Sequence, residues 1–91
     1  MFGLTDAETD KIKLVLQNNN IETAIIFGSR AKGNYNRGSD IDITVNSNAI
    51  RVSDALNNET NLPYFFDVLN MNDIKNKNLK EHIDRVGIKI I

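Results

Sequence analysis

The sequence predicts a small α/β domain: a mixed β-sheet with helices packed on it. Three observations lead there. Apolar residues at helical spacing and short β-branched runs alternate along the chain, giving the order α-β-α-β-α-β-α with a possible closing strand. The link between the first two strands is short enough for an antiparallel pair, which makes the sheet mixed rather than doubly wound. At 91 residues, the chain is read as one domain, residues 1–91, near the small end of what folds alone.

Thr5-Asp6-Ala7-Glu8 reads as a capping box, and Ile12, Val15 and Leu16 follow as an apolar stripe, so a first helix is expected from Thr5 to Asn18. Thr23–Phe27 is short, apolar and β-branched, a buried strand closed by Gly28. Ser29 is placed to cap a short helix over Arg30–Lys32, and Gly33–Ser39 reads as loop. Asp40–Asn46 alternates strictly. Ile41, Ile43 and Val45 share one face, and Asp40, Asp42 and Thr44 share the other. Ser47 or Asn48 caps a third helix through Ala49, Val52 and Leu56. Pro63 opens a third strand, Tyr64–Leu69. Asn78 and Glu81 form a second capping pair, Leu79, Ile83 and Val86 make the next stripe, and Gly87 ends that helix. Ile88–Ile91 is an edge strand or a packed tail.

Composition excludes several classes. The net charge is −1, and no basic stripe interleaved with aromatics is visible, which argues against tight nucleic-acid binding. Without cysteine there is no disulfide framework and no thiolate metal site. No apolar run approaches a membrane span, and Met1-Phe2-Gly3-Leu4 lacks the basic start of a secretion signal. A cytoplasmic protein is the expectation.

The chemistry concentrates in two places. Asp40 and Asp42 on one strand face have Cα atoms about 6.6 Å apart, close enough for their charges to repel. Water, a basic partner or a bound cation relieves that repulsion, and paired carboxylates suit Mg²⁺, which completes its shell with water and phosphate oxygens. Such a pair can hold two ions on either side of an in-line displacement. Asp67, inside an apolar strand, is costly unless partnered. It either faces solvent, pairs with an arginine, or joins the other two if its strand lies beside theirs; the pair upstream favours the triad. The other place is Gly28-Ser29, where a glycine permits close approach to a phosphate and the following amides and hydroxyl make an anion site. Taken alone, that turn would read as an ordinary strand-to-helix corner.

Taken together, Gly28-Ser29, ten intervening residues, Asp40-Ile41-Asp42 and the later strand residue Asp67 resemble the signature of the minimal nucleotidyltransferases. These are the smallest members of the DNA polymerase β-like nucleotidyltransferase superfamily. The wording GSRAKG and SDIDI is also similar to the family's usual form. The resemblance implies the polymerase β-like fold and a Mg²⁺-dependent transfer of AMP from ATP to a hydroxyl. It implies that Asp40, Asp42 and Asp67 bind metal, that Asp67 also helps deprotonate the acceptor, and that Gly28 and Ser29 hold the β- and γ-phosphates. Arg30 is either a further phosphate contact or a solvated helix residue. Stand-alone proteins of this kind often accompany a HEPN-domain RNase toxin as its antitoxin, some by attaching AMP to a partner tyrosine. The implied partner is therefore such a toxin, and the alternative is an antitoxin that neutralises by binding alone. Of the remaining residues, His82 is expected beside the core, Tyr35 as an exposed loop aromatic, Tyr64, Phe65 and Phe66 as packing residues, and Lys32 and Arg37 as surface charges.

Overall fold

The computed structural model describes all residues, Met1–Ile91. Helix α1 spans Asp6–Asn18, strand β1 Ala24–Phe27, helix α2 Gly28–Lys32, strand β2 Ile41–Val45 and helix α3 Ala49–Asn58. Strand β3 spans Phe66–Asn70, a 3-10 turn Met71–Asp73, helix α4 Lys77–Val86 and strand β4 Ile88–Lys89. The four strands form one sheet in the order β3-β2-β1-β4. β1 is antiparallel to β2 and to β4, while β2 and β3 run parallel. The mixed sheet follows from loop length: the link between β1 and β2 contains only a short helix and a loop, whereas β2 reaches β3 through α3.

Period-2 alternation divides the sheet into two faces. Ala24, Ile26, Ile41, Ile43, Val45 and Phe66 lie on one, buried against Ile12 and Leu16 of α1 and Val52 and Leu56 of α3. Each large side chain taken from water there contributes roughly 1.5–3 kcal/mol, so this layer dominates stability. The opposite face carries Ile25, Phe27, Asp42, Thr44 and Asp67 and is only partly covered, by α4. The half-covered face leaves the acidic end of the sheet open to solvent.

The capping box of α1 is present: Thr5 Oγ1 accepts from the Glu8 amide at 3.1 Å, and Glu8 Oε1 from the Thr5 amide at 2.9 Å. Other element ends differ from expectation. Ser29 does not cap α2: the helix starts at Gly28, with Phe27 in the cap position and no side-chain cap. α3 begins at Asn48 through a left-handed backbone, with no side-chain cap bond. α4 starts earlier than Asn78, because Asn76 Oδ1 accepts from the Asn78 and Leu79 amides. β3 begins at Phe66, beyond Pro63 and Tyr64, where Asn57 clasps it. The Asn57 carboxamide donates to Phe66 O at 2.9 Å and accepts from Phe66 N at 2.8 Å. Gly87 ends α4 in an extended conformation, and its missing side chain matters for space: a Cβ there would strike Ile83 O and the Ile25 side chain. Beyond it β4 closes the sheet edge, and Ile90 and Ile91 pack onto the core.

Candidate active site

Hydrogen-bond register, which no linear pattern states, assembles the site. Phe27 at the end of β1 is opposite Asp42 near the start of β2, and Asp42 is opposite Asp67 near the start of β3. The three side chains therefore form a row across three strands on the open face. Asp42 is half-buried, Asp67 exposed. Asp40 lies just ahead of β2 rather than within it, and is also exposed. Register thus sets Asp42 beside Asp67, with Asp40 in the loop just before β2.

Burial pushes the Asp42 carboxyl above its ordinary range, and the charges of Asp67 and Asp40 push the same way. His82 on α4 opposes that rise. Its ring meets Phe27 edge-on, with centroids 6.4 Å apart, so it borders the acidic row as well as the core. No carboxylate of the three has an ion-pair partner, the two ion pairs of the molecule being Arg51 with Asp54 and Glu59.

Gly28 joins the two halves of the motif. Its φ is +71°, which side chains rarely adopt, and a Cβ on it would overlap Asp42 Oδ2. The turn thus lies directly against the Asp42 carboxylate, and glycine is required twice over, by backbone conformation and by space. Ser29 sits in the first turn of α2, and its hydroxyl makes no hydrogen bond within the chain.

Arg30 does not join this group. It is 3% exposed, and its guanidinium donates to Phe2 O at 3.0 Å, Arg37 O at 3.3 Å and Ser39 O at 3.0 and 3.2 Å. Its guanidinium lies over the rings of Tyr64 and Tyr35, 4.9 and 5.2 Å from their centroids. The expectation of a phosphate contact or a solvated residue is corrected on both counts: its donors are turned onto backbone carbonyls. Tyr35 is an exposed loop aromatic and Tyr64 packs against the core, as expected, and both rings also face Arg30; Phe66 is core, whereas Phe65, expected as packing, is 60% exposed. Lys32 and Arg37 are exposed, as expected. His82 borders the core, as expected, while no local signal marked the acceptors of Arg30, which come from the N-terminal segment and the loop before β2.

A divalent cation suits the donor set. Asp40, Asp42 and Asp67 are oxygen donors of the type such an ion takes, and the charges of Asp67 and Asp40 felt at Asp42 are what it would offset. As they stand, no three acidic or histidine side chains of the molecule are close enough together to form a metal centre.

A parallel-antiparallel sheet with a glycine turn against a strand carboxylate is the frame of a nucleotidyltransferase domain. Residues 10–91 match the family described as "Polymerase beta, Nucleotidyltransferase", and the chain belongs to that family. Two solved structures share the fold. One is a toxin-antitoxin crystal structure with AMP-PNP, 22% identical, TM-score 0.74, covering 91% of this chain and 72% of the other. The second is a mutant of the toxin-antitoxin pair MntA-HpeT, 20% identical, TM-score 0.73, with the same coverage. No curated protein sequence is significantly similar.

Proposed function

We propose that this protein is a Mg²⁺-dependent nucleotidyltransferase that moves AMP from ATP to a hydroxyl, a tyrosine of a HEPN-type RNase toxin, and so acts as an antitoxin in the cytoplasm. The observation that carries the reading is the contact between the Gly28 turn and Asp42, in register with Asp67. A turn of the kind that can accept an anion beside carboxylates supports this reading. The similar structures support the nucleotide and the partner, since one contains AMP-PNP and both are toxin-antitoxin assemblies. In the second, two aspartates one residue apart are changed to glutamate, the spacing of Asp40 and Asp42.

In this reading Gly28 and Ser29 hold the β- and γ-phosphates with backbone amides and the free hydroxyl. Asp40, Asp42 and Asp67 would hold Mg²⁺, two ions in the fullest arrangement. Bound there, the metal would neutralise charge on the triphosphate and the departing pyrophosphate. Asp67, at the exposed end of the row, takes the proton of the acceptor hydroxyl as its oxygen attacks the α-phosphorus in line. The bond from that phosphorus to the bridging oxygen of pyrophosphate breaks. Positioning and charge complementarity supply most of the acceleration.

The test is intact mass of a HEPN-type toxin that co-purifies with this protein, after incubation with the chain, ATP and Mg²⁺. A gain of one or more AMP units, absent with Asp42→Ala, is expected. An unchanged mass with all four nucleoside triphosphates, while the toxin is still bound and silenced, would replace catalysis with neutralisation by binding.

A further inference from the structure

We propose that Arg30 is a positioning residue that sets the place of Asp40. The inference rests on the reading of Asp40 as a metal ligand and adds what holds it there.

Asp40 needs such a device because it lies outside the ladder. β2 starts at Ile41, whose amide donates to Phe65 O at 2.9 Å, so the strand restrains the chain only from that side. On the other side lies the loop 33–39, which is almost wholly exposed. Arg30 closes this gap. Its Nε and Nη2 both reach the carbonyl of Ser39, the residue immediately before Asp40. Nη2 also reaches Arg37 O, and Nη1 reaches Phe2 O on the N-terminal segment. One rigid fork thus ties α2, which begins at the phosphate turn, to the peptide that leads into Asp40. Ser39 is held further by its amide to Asn36 O at 3.1 Å, and its Oγ accepts from the Asn36 amide at 2.9 Å.

The chemistry of the residue points the same way. A buried guanidinium without a carboxylate is costly, and a neutral side chain could fill the slot more cheaply. Only arginine offers donors in a fixed plane that reach three backbone carbonyls at once while lying over two rings. Lysine carries the same charge but cannot make the fork.

The experiment titrates Mn²⁺ alone onto the chain, reading free ion by electron paramagnetic resonance, with thermal unfolding run in parallel. Wild type is compared with Arg30→Lys, Asp40→Asn and the double variant. Supporting partners of metal ligands typically change affinity at least about 10-fold when removed, so Arg30→Lys is expected to weaken Mn²⁺ binding about 10-fold. The double variant should bind no more weakly than Asp40→Asn alone, because Arg30 acts through Asp40; a merely structural loss would add to it. Wild-type affinity in folded Arg30→Lys, beside weakened Asp40→Asn, overturns the positioning role and leaves the functional reading intact. Undiminished affinity in Asp40→Asn overturns both. If Arg30→Lys does not fold, Tyr35→Leu carries the test, since it removes one half-exposed wall of the slot: weaker Mn²⁺ binding at an unchanged unfolding midpoint supports the proposal, and unchanged binding overturns it.

Discussion

Replacing Gly28 by alanine probes the contact on which the site is built. Two costs are expected. The left-handed backbone, φ +71°, penalises any side chain by about 1–2 kcal/mol. The added Cβ also overlaps Asp42 Oδ2, and relieving such overpacking costs about 1–3 kcal/mol. Gly33 provides the control, with φ +95° and no atom within 4 Å of a built Cβ. Gly33→Ala should therefore show the conformational cost alone, about 1–2 kcal/mol. In a domain of this size, 1 kcal/mol moves the unfolding midpoint by roughly 4–8 °C. Gly28→Ala should fall well below Gly33→Ala in thermal unfolding followed by circular dichroism with chelator present. The decisive comparison is a cycle with Asp42→Ala. Without the carboxylate the overlap is gone, so Gly28→Ala in that background should cost no more than Gly33→Ala. The coupling expected is about 1–3 kcal/mol. Equal costs for the two glycines, with no coupling to Asp42, would refute the close approach of turn and carboxylate and with it the main support for the site.

Other expectations follow from the same structure. Asp42 has a raised pKa, so the folded state holds its proton more tightly than the unfolded chain; stability then falls as pH rises from the ordinary value of 3.8 through the raised one, and the cost persists at neutral pH. Asp42→Asn should raise the unfolding midpoint at about pH 7, match wild type near pH 3, and abolish nucleotidyl transfer; an Asn variant no more stable than wild type at neutral pH would contradict the sign. Thr44 is fully buried with an unpartnered hydroxyl, so Thr44→Val should stabilise by about 1 kcal/mol in urea unfolding. Asn57→Ala breaks both hydrogen bonds to Phe66 at the entrance of β3 and should cost about 2–3 kcal/mol, read as a lower urea midpoint at an unchanged slope.

Periodicity and turn chemistry determined much of this protein. The capping box at Thr5, the alternation of Ile41, Ile43 and Val45, and the stripe around Ile83 are local patterns, and local patterns are what one dimension records. Gly28, Ser29, Asp40, Asp42 and Asp67 stood out for a different reason: their residue types and spacing resemble the signature of a known family. Tertiary structure decided what depends on distant partners. Register alone set Asp67 beside Asp42, and only the fold showed that Gly28 is glycine because a carboxylate occupies the space of its side chain. Arg30 is the clearest case. An arginine in a polar stretch reads as solvated or as a phosphate ligand, yet its acceptors lie 28, 9 and 7 residues away in sequence, and no local pattern encodes a contact whose two ends are brought together by the folding of everything between them.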